Sequence, residues 1–318
     1  MSKFKTDGKI NSINDAIEMV KGLSDSEFIA DHWPFHKFPF GLWFRGQSRR
    51  RPLEPHVFRE ITLDASEEER TQFKVYDETN LYEHLKLRVP QYHQTYRSVF
   101  DWLCLMQHYS LPTRLLDWSE SILPALYFAV KDHREKDGEI VVLNARRLNG
   151  SIKKRPTIST SNNPGVVIRA EMAATRSAKS LGAQGSVIEA AREMNVTLDM
   201  KGKWIESYTS PIAVFPSRLN DRMIFQASVF TLHGGKMYMK GIEEYYEDEI
   251  IPRPVSLEEI DGKIDILKRY VIPRGKKNEI QENLFVLGIH EGTLFPEVDH
   301  QSVYLQQLWS YRQFKKET

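Results

Sequence analysis

The sequence predicts an α+β protein, on three observations. Apolar, strand-like runs at 42–45, 139–143, 212–215, 225–232 and 264–272 are widely separated, with helical patterns placed between them. Such strands must pair across long sequence distances around helices packed to the side. The chain has 318 residues, of which 41% are hydrophobic and 11% aromatic, enough to bury a sizeable core. There is no internal repeat and no low-complexity tract.

The elements follow in order. Ile13, Ala16, Ile17, Val20 and Leu23 recur at helical spacing over 12–23. An aromatic- and proline-rich approach, His32 to Phe40, leads to the strand 42–45, which Gly46 is expected to end. A long helix is expected from Ser66, with Glu67 to Glu69 at its positive end, toward Arg88 before Pro90. A second helix, 99–109, carries Val99, Trp102, Leu103 and Met106 on one face. Pro112 interrupts it, and 113–117 reads as extended. Ser119 is expected to cap a buried helix at 122–130, with Pro124 in its first turn. The run 139–143 is a strand. From 144 to 203 the signal weakens, and an insertion is expected over 145–205. Order returns at 212–215, then a polar turn or short helix through Arg222, a strand at 225–232, another at 264–272, and helices at 278–287 and 298–308.

Charge and motifs exclude several classes. Lys and Arg number 44 against 43 Asp and Glu, a formal charge of +1, so no global field favours nucleic acid. The one cysteine, Cys104, rules out an intramolecular disulfide and a thiolate zinc site, and its place beside Trp102 reads as a buried, inert thiol. His32 and His36 flank Pro34, which argues against a metal pair, and no metal is expected. There is no phosphate-binding G-x-x-x-x-G-K-[ST] loop, G-x-G-x-x-G, H-E-x-x-H or G-x-S-x-G. The start has no apolar run of signal-peptide length, and 122–130 is too short to span a membrane. A cytoplasmic protein is expected, without a membrane partner.

Three motifs concentrate the polar chemistry. In Trp43-Phe44-Arg45-Gly46-Gln47, an Arg at the end of an apolar strand offers a planar bidentate donor, suited to phosphate or carboxylate, or equally to a structural carboxylate partner. In Gln107 to Trp118, alternation places Thr113, Leu115 and Asp117 on one face and Arg114 and Leu116 on the other. A buried Arg114–Asp117 pair is the competing structural reading there. In Pro216 to Thr231, two arginines precede a strand bearing the lone amide of Gln226. The Ser48 to Arg51 basic patch reads as a phosphate contact or an exposed loop, and the acidic run 245–249 as a solvated segment.

Together these motifs resemble the FRG domain, named for the Phe-Arg-Gly present as Phe44-Arg45-Gly46. The second signature is His108-Tyr109-Ser110-Leu111-Pro112-Thr113-Arg114-Leu115-Leu116-Asp117-Trp118 with Ala125 to Ala129. The third is Arg222 with Gln226 to Thr231, and Gly288-Ile289 and Leu294-Phe295-Pro296 fit the usual tail. Ser110 stands where the family usually has Gly. The resemblance implies a single FRG-type domain over 1–318: a helical lead-in at 1–38, a signature core at 39–144, the 145–205 insertion and the rest of the core at 206–310. The motif order is in turn similar to the ADP-ribosyltransferase fold, a split mixed or antiparallel β core flanked by helices.

That similarity implies NAD as substrate, without a metal. Arg45 matches the first-strand position that holds ribose or phosphate, Thr113 the nicotinamide-pocket position, and Gln226 falls at or near the third-strand acid. Arg45, Asp117 and Gln226 are the expected catalytic residues. Phe44, Gly46, His108, Tyr109, Thr113, Arg114, Trp118 and Arg222 are expected to line the nucleotide site, with Tyr109 or Trp118 stacking on nicotinamide. Gln226 is neutral and cannot stabilise the cation formed on ribose, so Asp117 is the better-placed acid. The expected function is an ADP-ribosyltransferase or NAD glycohydrolase of bacterial or phage origin, a toxin or an agent of phage–host conflict, with a protein or nucleic-acid acceptor. The alternative is a non-catalytic module that binds a nucleotide, a nucleic acid or a phage protein through the same arginine-rich cleft.

Overall fold

A computed structural model describes residues 5–29, 41–59, 61–62, 73–74, 76–153, 157–163, 166–167, 169–170, 210–234 and 255–310. His32 to Phe40, Ser66 to Glu69, the greater part of 145–205 and the acidic run 245–249 lie outside them.

In chain order the strands and helices begin with β1 (Gly8–Lys9), α1 (Ile13–Ser24) and β2 (Leu42–Gln47), followed by β3 (Ile61–Thr62) and β4 (Phe73–Lys74). Next come α2 (Glu78–Arg88), α3 (Val99–His108), β5 (Leu115–Ser119), α4 (Ile122–Val130), β6 (Gly138–Asn144), α5 (Ala145–Lys153) and β7 (Ser159–Thr160). The C-terminal part contributes β8 (Ile212–Phe215), α6 (Asp221–Phe225), β9 (Ser228–Leu232), α7 (Leu257–Ile264) and β10 (Leu267–Ile272). It closes with α8 (Lys277–Val286), α9 (Glu291–Leu294) and α10 (Val298–Leu308).

Eight strands form one sheet in the order β1-β10-β6-β2-β5-β9-β8-β7, with β3 and β4 a separate antiparallel pair. Among the described strand pairs of this sheet only β1–β10 and β7–β8 are parallel, so the sheet is mixed and the fold is α+β. Its centre is uneven. β2 pairs with β6 along its whole length, from Leu42↔Asn144 to Gln47↔Glu139, but with β5 only through Phe44↔Ser119. The sheet is therefore parted between β2 and β5 on either side of that one pair.

Alternation sends Leu42 and Phe44 into the apolar cluster with α1, α4 and α8, and Trp43 into the cluster with Val141, Leu143, Leu148 and Leu257. A third cluster packs Phe100, Leu103 and Met106 of α3 on Leu115, Val214 and Phe230. Gly46 continues the strand rather than ending it, and its role is close approach. A Cβ there would stand 1.8 Å from the Ala125 carbonyl oxygen and 2.7 Å from Ala129 N, so only glycine lets α4 lie this near β2.

Other boundaries moved for local reasons. The helix expected from Ser66 begins at Glu78, capped by Asp77 Oδ1, because Phe73–Lys74 is drawn into pairing with Ile61–Thr62. Ser121, not Ser119, caps α4, while Ser119 Oγ donates to the Gln226 carbonyl at 2.8 Å. The strand expected from Phe225 starts at Ser228, since Asn220 caps a helical turn through Phe225 and Ala227 then takes φ 47°. Likewise β10 starts at Leu267, after α7 ends on Asp265 at φ 50°. The stretch expected to be an insertion opens as part of the core. Asn149 on α5 is fully buried, donates to the Ala213 carbonyl and accepts from Ala213 N, at 3.0 and 2.8 Å.

Candidate functional site: a cationic cleft at the parted strands

A cleft of about 250 Å³ opens where β2 and β5 separate. Of the expected site residues, Phe44, Arg45, Gly46, Asp117, Trp118, Arg222 and Gln226 all line it. His108, Tyr109, Thr113 and Arg114 do not stand among its walls.

Arg45 bridges the parting. Its Nη1 donates to the Asp117 carbonyl at 2.6 Å and lies 3.8 Å from Asp117 Oδ2, while its buried Nε has no hydrogen-bond partner. Burial, with Arg51 and Arg59 nearby, lowers its pKa to about 10 against the opposing pull of Asp117. The Asp117 carboxylate is half exposed, 53% of its side chain, and is held from behind. Thr113 Oγ1 donates to Gln107 Oε1, which fixes that amide so that Gln107 Nε2 donates to Asp117 Oδ2 at 2.7 Å. Thr113, with no exposed surface, thus acts on the cleft through Gln107.

The opposite wall comes from the third motif. Arg222 lies over the Phe295 ring at 4.6 Å and donates to the His108 carbonyl at 3.4 Å. Gln226 sits at the C-terminal cap of α6, not on a strand, and its amide donates to the Leu294 carbonyl at 3.0 Å. The tail motif therefore closes this wall, and both signature side chains lean on it. Trp118 forms part of the cleft floor with its indole Nε1 donating to Thr231 Oγ1 at 3.1 Å.

The remaining expected residues are engaged elsewhere. Arg114 is 2% exposed and pairs with Glu78, not with Asp117: its Nε donates to Glu78 Oε2 at 2.7 Å and its backbone N–H to Glu78 Oε1 at 2.8 Å. Tyr109 is 55% exposed, and its hydroxyl bonds that of Tyr92 at 3.0 Å, which raises its pKa to about 12. His108 Nε2 lies 3.4 Å from Glu297 Oε1, and burial, aided by the Arg222 charge, pushes its pKa down. Ser110 takes φ 61°, the left-handed conformation that glycine adopts freely, which gives the usual family Gly its physical reason.

Nothing in the sequence signals that several residues line the cleft: Gln47, Gln107, Lys131, Asp132, Ser228, and Ser119, which was expected only as a helix cap. Gln47 and Gln107 stood inside quoted motifs, and only their contacts distinguish them. Asp132 is a second carboxylate at the cleft, at the end of α4 beside Lys131 at 3.6 Å. The pKa of Arg51 is lowered by burial and by Arg59 and Arg49.

The fold and the cleft define an α+β protein with an arginine-lined cleft at a parting in its sheet. Residues 41–138 match the family model of the FRG domain, so this part of the chain is an FRG domain, running from the start of β2 to the first residue of β6. No curated protein and no solved structure matches the chain. Among the described residues, no helix is long and apolar enough to cross a membrane.

Proposed function

We propose that the cleft binds a phosphate-bearing nucleotide and that its chemistry is cleavage of the nicotinamide–ribose bond of NAD, on a core of ADP-ribosyltransferase type. The observation that carries the reading is the convergence of Arg45, Asp117, Arg222 and Gln226 from three separate sequence motifs on one cleft. At about 250 Å³ it falls just below the ~300 Å³ of ordinary ligand pockets, so it encloses one portion of a dinucleotide. Arg45 and Arg222 hold the anionic part. Asp117, braced by Gln107, faces the ribose as the C–N bond breaks, and its negative charge stabilises the cation left on C1′. Nicotinamide leaves with the bonding pair. The oxygen of water or of an acceptor hydroxyl then bonds to C1′, and its proton passes to Asp117 or to solvent. The biological setting that accompanies this reading is a bacterial toxin or phage–host conflict.

The experiment is to incubate the purified protein with NAD, with and without cell extract, and to follow nicotinamide release. Asp117→Asn is expected to reduce release by roughly 10²–10⁴-fold, and Asp132→Asn by far less. Full release from Asp117→Asn overturns the catalytic assignment. One observation favours a second reading, a binding module without turnover: the third-motif residue is the neutral Gln226, whose amide is already bonded to Leu294. NAD binding that depends on Arg45, with no release under any condition, selects it.

A further inference from the structure

Beyond β2 the chain forms a rim segment, residues 48–59, anchored at several points. Leu53 is buried and its N–H donates to Glu258 Oε1 at 2.9 Å, and Val57 N–H donates to the Thr113 carbonyl at 3.2 Å. Arg51 from this segment lines the cleft. Its grip is specific. Gln47, 1% exposed, accepts from Arg51 Nε on Oε1 at 3.0 Å and donates from Nε2 to the Arg51 carbonyl at 3.2 Å and to buried Glu139 at 3.3 Å. One buried amide thus holds Arg51 by its inner nitrogen through Oε1 and by its backbone carbonyl through Nε2. The terminal nitrogens of Arg51 have no partner among the described residues.

Arg59 stands close enough to disfavour the charge on Arg51, and is itself fixed by two bonds from Nε and Nη2 to the Glu54 carbonyl, at 3.0 and 2.8 Å. Neither arginine forms an ion pair among the described residues. The cleft therefore sets Arg45 and Arg51 together beside the one carboxylate of Asp117, with Arg59 on the same rim segment adding to the positive field at Arg51. Holding like charges together in this way disfavours the empty protein, and an oxyanion between them relieves it.

We propose that Arg51 forms a second anion subsite on the rim of the cleft, specific for a diphosphate-class oxyanion, and that Gln47 is the positioning residue that presents Arg51 to it. This rests on the nucleotide-binding reading above and extends it: the ligand is one whose phosphates reach past Arg45 to the rim, so a nucleoside diphosphate unit is favoured over a monophosphate.

The test is calorimetric titration with inorganic pyrophosphate and with inorganic phosphate at low salt, which requires no turnover and stands apart from nicotinamide release. Wild type is expected to bind pyrophosphate the more tightly. Arg51→Gln is expected to weaken pyrophosphate roughly 10-fold or more, as loss of a charged hydrogen-bond donor does. Arg49→Gln removes the same unit of charge from an exposed side chain and is expected to change binding less than about threefold. Gln47→Leu is expected to weaken binding in the wild type and to add nothing in the Arg51→Gln background, an effect that general destabilisation does not produce. Equal losses for Arg49→Gln and Arg51→Gln, equal affinity for the two anions, or additive effects of Gln47→Leu and Arg51→Gln overturn the proposal. Loss of nicotinamide release with these binding results intact overturns only the catalytic reading.

Discussion

Arg50 turns inward from the end of β2 and meets the fully buried carboxylate of Glu139 at 3.0 Å, while Arg51, next in the chain, turns to the cleft and forms no ion pair among the described residues. The two belong to contrasting regions. Behind the sheet, Glu139 also takes Arg269 at 2.9 Å, and Arg269 takes Glu258 at 2.7 Å, so each charge has a counter-charge and its hydrogen bonds. Arg114 with Glu78 is a second case, at 2.7 Å. At the cleft, Arg45 and Arg51 share Asp117, while Arg59 on the rim segment is fixed to the Glu54 carbonyl. Residue type is the same in both regions, and the difference is where compensation comes from. Arginines matched by internal carboxylates hold the fold, and arginines left over point to an anion from outside.

The strongest challenge to this contrast is to unbalance a matched pair. Glu78→Gln removes the Glu78 carboxylate from the 2%-exposed Arg114 guanidinium and is expected to cost about 3–5 kcal/mol in urea unfolding. Replacing both partners, Glu78→Leu with Arg114→Met, is expected to recover most of that loss, because no lone charge remains buried. A single-variant cost under about 1 kcal/mol would place Arg114 with the unmatched group.

This distinction was only partly legible in the sequence. The α+β class and most elements follow from apolar periodicity, which packing on the sheet satisfies. So Ile13 to Leu23, Val99 to Met106 and Ile140 to Leu143 read correctly. Gly46 reads as a break because its reason lies 79 residues away, in the Ala125 carbonyl that a Cβ would strike. The lining of the candidate cleft was partly legible as three motifs, but not the partner of each arginine. Arg114 and Asp117 lie close in sequence and suggest a pair, yet Glu78 reaches Arg114 from α2 and Gln107 reaches Asp117 from α3. Pairing is set by tertiary contact, which no local spacing encodes.

The matched region also has a titration signature. His233 follows β9, and its carbonyl accepts from Arg114 Nη1 at 3.1 Å. Burial first, then the Arg114 charge, pushes its pKa down to about 3, against about 6.5 in the unfolded chain. Above pH ~6.5 the ring is neutral in both states. As pH falls from there toward 3, the unfolded chain takes a proton that the folded protein refuses, so stability is lost, by up to about 1.4 kcal/mol per pH unit. His233→Gln is expected to flatten the profile by that amount over this window, measured as the difference between two pH series. Parallel profiles would mean that His233 takes up its proton in the fold at the same pH as in the unfolded chain, and that the region around Arg114 is less tightly sealed than its distances imply.

The smallest expected effect discriminates most sharply, because its sign differs between neighbours. Arg50→Gln removes one of two cations from buried Glu139 and is expected to destabilise by about 1–3 kcal/mol. Arg51→Gln removes a charge that Arg59 and Arg49 both oppose, and is expected to leave stability unchanged or raise it by a few tenths of a kcal/mol at low ionic strength. Raising the salt screens the repulsion between these side chains and should erase the gain, while the cost at Arg50, set by a buried acid, persists. Added pyrophosphate reverses the order for Arg51 alone: wild type gains stability by linkage, and Arg51→Gln gains less. Should Arg51→Gln destabilise the empty protein as much as Arg50→Gln does, Arg51 would be part of the scaffold, and the surplus positive charge at the cleft would rest on Arg45 and Arg222.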